Sequence, residues 1–536
     1  ALNNGGEALR LEDATGEVIL DFSFNNSWYP VTDGLGFSLV IRDELAPWDA
    51  WGLAASWRPS GSDAGSPGGV DPAPRASVPV VINEVLAHSA NAGGDAIELR
   101  NPAPSVAAIG GWYLSDDFAN PTKYRLPAGL TLAAGGILTI PESLFNAGGA
   151  GSFALGAAGD EAYLFAADPV SGRLTGYYSG YKFGASFDGM TFGPETTSLG
   201  ETWFVRQARA TLGQPNSGAA VGPLVLAEVM YHPVDKSPGN EPSKLEYIEV
   251  ANVTAAAVPL FDPQYPTNSW RIAGGVHFSF PAGASIPAQG AVLVVGFDPA
   301  TNPEALAEFV THYSVPAGTP VFGPYSGQLN NSGDTLLLEQ PDIPDPVTKG
   351  VSHVLMDSVH YATSAPWPGL ADGFGPSLHR KPLLSFGEDP AHWIAARPSP
   401  GSADADGASP AITQGPQGGN PAVGSDLTLS VAAQGASPLA YQWVLDGQPI
   451  PGATASSLAL QDIHMLQWGN YQVVVMNPDG AVLSDLAPVV VQESVVFLKQ
   501  PASKNLVVGT NFVLSVTALG NGPLKYQWLY NDQEIP

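Results

Sequence analysis

Short apolar runs bounded by Gly, Pro, Asn and Asp recur along this whole chain. Val80-Val81-Ile82-Asn83-Glu84-Val85 is one, and Gly136-Ile137-Leu138-Thr139-Ile140 is another. They are rich in Val, Ile, Leu and Tyr, and they are too short for helices. The pattern predicts strands of packed sheets. One segment departs from it. Residues 303–313 predict a helix, with Pro303 at its start and Glu304 in its first turn.

The runs repeat in order. Val80 to Val85 is echoed by Leu224-Val225-Leu226-Ala227-Glu228-Val229. Ala96-Ile97-Glu98-Leu99-Arg100-Asn101 is echoed by Tyr247-Ile248-Glu249-Val250-Ala251-Asn252. A turn phrase occurs three times: Leu2-Asn3-Asn4-Gly5-Gly6-Glu7, then Leu155 to Asp160, then Leu329-Asn330-Asn331-Ser332-Gly333-Asp334. That spacing is too long for a solenoid repeat and fits whole domains. Exit phrases repeat as well, in Gly65-Ser66-Pro67-Gly68, Thr211-Leu212-Gly213 and Ser399-Pro400-Gly401. From about residue 409 the pattern changes. Tyr441-Gln442-Trp443 recurs as Tyr526-Gln527-Trp528, each followed by a turn and Ile-Pro.

The expected organisation is therefore 1–75, 76–219, 220–408, 409–493 and 494–536. The first and last stretches read as parts of domains, the first entered past its midpoint. Unpaired strand edges in 1–75 are then expected to be sticky.

The ordered phrases resemble the lamin-tail domain in its bacterial exported form. Ile82-Asn83-Glu84, Ile97-Glu98-Leu99-Arg100-Asn101-Pro102 and Gly111-Trp112-Tyr113-Leu114-Ser115-Asp116-Asp117 carry the resemblance. Val229-Met230-Tyr231-His232-Pro233 adds to it, and the resemblance covers about residues 1–405. The Trp strand of the later copy departs, because Asn268-Ser269-Trp270-Arg271-Ile272 follows a Pro-rich insertion. The region from 409 resembles a bacterial immunoglobulin-like domain. Trp443 stands as its buried strand-C Trp, and Tyr471 as a tyrosine corner. Val431 and Val473 take the two cysteine positions, and Val516 and Trp528 are the matching places in the last stretch. The resemblance implies an all-β fold: serial immunoglobulin-like β-sandwiches, lamin-tail type first, arranged as beads on a string.

Composition narrows the function. Gly is 61 and Pro 50 of 536 residues, a mix suited to many turns. Net charge is −29, so the average surface repels a polyanion, and nucleic-acid binding is not expected. Cysteine is absent, which removes disulfides, thiolate metal sites and a cysteine nucleophile. No apolar run is long enough to span a membrane as a helix.

No hydrolase elbow, zinc-protease helix motif or phosphate-binding loop occurs. No catalytic residue is assigned, and no cofactor beyond calcium is expected. Asp116-Asp117 and Asp404-x-Asp406-Gly407 offer oxygen ligands for calcium, or they are solvated turns. Glu308 and His312 stand one turn apart on the expected helix, as a metal pair or a surface pair. Glu84 and Glu98 recur as Glu228 and Glu249. They could serve acid–base work, but recurrence in each copy favours a fold role at a strand end. His232 could be a base and reads better as packing. Trp48, Trp51, Trp57, Tyr177, Tyr178 and Tyr181 could form a sugar-stacking platform or pack internally.

The reading is a non-enzymatic structural or adhesive segment of a large exported bacterial protein, extracellular or at the cell surface. Its modules act as spacers, with cell-surface or matrix proteins or glycans as partners. The alternative is the accessory region of an extracellular enzyme, with a nuclease, phosphatase or spore-coat-type kinase domain elsewhere.

Overall fold

The structure is a computed structural model. It describes residues 2–72, 78–91, 93–237, 239–402, 407–491, 495–519 and 523–535. Asp404 and Asp406, named above for calcium, lie outside the described residues. Contacts divide the chain into two units: residues 1–221 with 340–355, and residues 222–339 with 356–536.

The fold is serial β-sandwiches of the immunoglobulin-like kind. In the first unit, Glu7–Glu12 pairs with Val18–Phe24, and Leu39–Ile41 pairs with Trp57–Pro59. A two-sheet sandwich follows. Its five-stranded sheet runs in the order Ile137–Pro141, Ala96–Arg100, Val81–Leu86, Thr191–Thr196, Thr202–Arg206. Its four-stranded sheet runs Leu174–Gly184, Gly159–Ala167, Tyr113–Ser115, Tyr124–Arg125. Period-two alternation decides which side chains enter the core. Ala162, Leu164 and Ala166 point inward, to Ile82, Ile97, Leu99 and Trp112. Tyr163 and Phe165 point outward, where Phe118 and Tyr178 cover them.

The second unit repeats this plan with an added edge strand on each sheet. One sheet runs Val321–Phe322, Ala291–Val295, Tyr247–Asn252, Leu224–Met230, Ser377–Arg380, Trp393–Ala396. The other includes Val276–Ser279, Arg271–Gly274 and Gly333–Pro341. The expected helix is present as Pro303–Tyr313. Asn302 caps it by accepting the Ala305 amide, and Ala305, Phe309 and Tyr313 are its buried face. They pack on Met230, Leu245, Tyr247 and Leu293.

The thrice-repeated turn phrase has a single physical cause. Gly6, Gly159 and Gly333 each donate to the carbonyl three residues back and open a strand. Their φ angles are +104°, +112° and +119°, a region closed to most side chains. Each also lies against the paired strand. A Cβ on Gly333 would sit 2.7 Å from the Tyr361 carbonyl oxygen. Gly333→Ala is expected to cost about 2 kcal/mol or more, from strain plus the forced shift. Urea unfolding of the variant against the parent chain measures it.

The immunoglobulin-like sandwich has the core expected without a disulfide. Trp443 is fully buried among Val431, Val473, Leu429 and Val475. Its indole donates to Ala455 O, and the Tyr471 hydroxyl donates to Gln467 O at 2.9 Å, closing a tyrosine corner. Val444, Val474 and Met476 on the outer face of its sheet meet Leu370 and Phe374 of the preceding sandwich. Lys381 pairs with Asp479 at 2.6 Å beside this patch, and Arg397 N donates to Asn477 O. These two beads thus share a packed joint.

Candidate functional site

The recurring glutamates are the most conspicuous polar groups of the interior. Glu84 lies directly opposite Glu98, and Glu228 opposite Glu249, on adjacent strands. A bulge falls at the same place in both copies, between Ile82 and Glu84 and between Leu226 and Glu228. All four side chains are buried. Facing carboxylates repel, so the fold must bring donors to them.

It does so with the exit phrase. In the earlier copy, Thr211 donates to Glu84 through its amide (2.8 Å) and its hydroxyl (2.7 Å), and Thr191 adds a third bond (2.6 Å). Gly213 N, Asn83 Nδ2 and Thr139 Oγ1 donate to Glu98. In the later copy, Ser399 N donates to Glu228 and Gly401 N donates to Glu249. Tyr247, Ser377 and His379 complete the shell of Glu228. The glutamates therefore staple the chain's exit to the first two strands of each sandwich. Each accepts a backbone amide of the exit phrase, which is a fold role.

Ser377, His379 and Glu228 are also the residue types of an acyl-transfer triad. Their geometry is wrong for one. The same His379 nitrogen, Nε2, lies 2.9 Å from Ser377 Oγ and 3.0 Å from Glu228 Oε1. A triad needs the acid on the opposite ring nitrogen, and a nucleophile that substrate can reach. All three residues are buried.

The remaining expected sites separate in space. Asp116 pairs with Lys123, and Asp117 Oδ1 accepts the Ala119 amide within its own turn. Glu308 pairs with Lys236 at 2.8 Å. Burial holds His312 below its usual pKa, against the pull of Glu308. Trp51 and Trp57 pack with Phe22, while Trp48 is exposed. Tyr177 packs on Trp112, Tyr178 on Phe118 and Tyr181 on Phe204. Apart from exposed Trp48, these aromatics sit in separate packing groups, the internal-packing reading of the two that the sequence offered. Among the described residues, no group of three His, Cys, Asp or Glu side chains is arranged for a metal ion.

A second matched set lies at one end of each complete sandwich. His88 and His232 follow the first strand, and Asp95 and Glu246 immediately precede the second. Gly189 N donates to His88 O, and Gly373 N to His232 O. The histidine rings are anchored differently: His88 Nδ1 contacts Ser186 O, and His232 Nδ1 contacts Asp372 Oδ1 at 2.6 Å. Both acids are buried. Burial, reinforced by the charge of Glu142, raises Asp95 to about 6. Burial raises Glu246 to about 7; Glu241 reinforces this, while the Tyr325 hydrogen bond and His232 oppose it.

Beside Glu246, residues 239–246 help frame a polar cavity of about 890 Å³. Its walls include Glu241, Glu246, Tyr325, Asn330, Asn331 and Asp334. The sequence reading missed this cavity. The available signal was an acid directly before the same repeated strand in both copies.

The raised carboxyl has a thermodynamic consequence. Below pH 4.5 Glu246 is protonated whether the chain is folded or not. As pH climbs, the unfolded chain ionises first, so stability falls until the folded carboxyl ionises near 7. The loss is expected to reach about 2–3 kcal/mol. Glu246→Gln should flatten that slope, and urea midpoints recorded from pH 4.5 to 8 would show it.

The family model for the Lamin Tail Domain matches residues 73–178. The muscle M-line assembly protein unc-89 of Caenorhabditis elegans is 28% identical over 138 residues. That match takes in 24% of this chain, and the chain spans only 2% of the length of that relative. Among solved structures, titin Ig tandem domains A164–A165 match at 16% identity, covering 25% of this chain and 73% of theirs, with a TM-score of 0.20. Tandem Ig repeats of Dlar match at 15% identity, over 30% of this chain and 88% of theirs, with a TM-score of 0.16.

Proposed function

We infer that this chain is a run of structural and interaction modules, serial sandwiches that set distance and offer surfaces to protein partners. One observation carries the reading. The same sandwich is built twice with the same bulge, the same glutamate staple and the same turn glycine, and an immunoglobulin-like sandwich is docked on the second copy. Its buried carboxylates and the serine–histidine pair are spent on holding chain segments together. The low content of basic residues and the Gly/Pro-rich joints suit a place outside the cell, and the lamin-tail phrases suit a bacterial source. Small-angle scattering from the purified chain is expected to give an elongated, jointed particle. A compact globule would contradict the spacer role.

A further inference from the structure

The cavity of the later copy is short of hydrogen-bond donors. Glu246 lines it and is 7% exposed. Tyr325 donates to Glu246 Oε2 at 2.8 Å, and no described residue donates to Oε1. Asn331 donates to Glu241 Oε2, while Glu241 Oε1 is shut from water and, among the described residues, has no partner. Asp334 adds a third carboxylate to the wall. An unmatched buried acceptor costs about 1–3 kcal/mol, more when charged. The basic residue among the described lining, Lys244, is exposed.

The missing chemistry is thus a cation that donates in several directions. The volume is that of an organic group with flanking atoms rather than of a bare ion. We propose that this cavity receives a basic side chain, a guanidinium before an ammonium, presented by an extended segment of a protein partner. A guanidinium is donor-only, and its planar fork spans two carboxylates. The side-chain amides of Asn330 and Asn331 stand where a peptide backbone would need both donors and acceptors. The net charge of −29 draws basic segments toward the chain in general. The site stands independently of the spacer reading, because its groups belong to one sandwich.

Binding should depend on pH. Tyr325, Glu241 and His232 act on Glu246, and Asp334 and Lys244 stand on the same wall. The carboxyl is half-protonated near 7 when the cavity is empty, so a cation must displace its proton. Affinity then climbs from pH 6 to 8.

The test is calorimetry on the whole chain with capped Ser-Arg-Ser peptide, its citrulline analogue and a chitosan tetrasaccharide. The arginine peptide is expected to bind at one site, roughly tenfold or more tighter than the neutral citrulline analogue. Glu241→Gln combined with Glu246→Gln should abolish that preference while leaving circular dichroism unchanged. Should the double substitution disturb folding, Glu241→Gln alone, expected to weaken the preference for the arginine peptide, supplies the test. Equal binding of arginine and citrulline peptides would overturn the proposal. So would undiminished binding by a folded double variant, or binding of the chitosan with none of the arginine peptide.

Discussion

Glu228→Ala is expected to destabilise its sandwich by about 3–5 kcal/mol, the range for removing one partner from a buried charged network. The substitution removes an interior acceptor from the Ser399 amide, from the Tyr247 hydroxyl and from the Ser377–His379 pair. Glu249 still holds the exit phrase through Gly401 N. Typical domains are stable by about 5–15 kcal/mol, so the loss is a large part of the total. Glu228→Gln should cost less, since its carbonyl still accepts. The parallel substitution Glu84→Ala should do the same to the earlier copy, releasing Thr191 and Thr211. Urea unfolding with limited proteolysis would read both effects. The first new cleavages are expected after the exit phrase.

The second large effect is expected at Trp443. Trp443→Ala should cost about 3–5 kcal/mol, the usual penalty for deleting a large buried aromatic. The ring is fully buried, and no disulfide shares the load in this sandwich. Tyr471→Phe removes one hydroxyl bond and should cost about 1 kcal/mol. The pair of variants separates core packing from the corner. Thermal unfolding by circular dichroism would measure both. Val444, next to Trp443 on the opposite face, packs toward Leu370 and Phe374. Loosening the core should therefore also loosen the joint.

Much of this architecture was legible in the sequence because strands and turns have local causes. Apolar runs between Gly and Pro marked the strands, and the helix at Pro303–Tyr313 was marked by Pro303 at its start and Glu304 in its first turn. The repeated glycine was legible as a repeat. Its cause, a positive φ against a neighbouring carbonyl, needed the paired strand. The glutamates were legible as fold residues by recurrence alone. Their partners were not, since Thr211 and Gly213 reach Glu84 and Glu98 from far along the chain. The cavity at Glu246 was hidden for the same reason. Glu241, Tyr325 and Asn331 come from three separate connections, and none of them carries a local motif.

The central claim is that these sandwiches are separate folding units in series. Pulling the single chain from its ends tests it most directly. The account predicts discrete rupture events, each releasing the extended length of one sandwich at about 3.3–3.6 Å per residue. One event releasing the whole chain together, or a smooth extension without events, would contradict it.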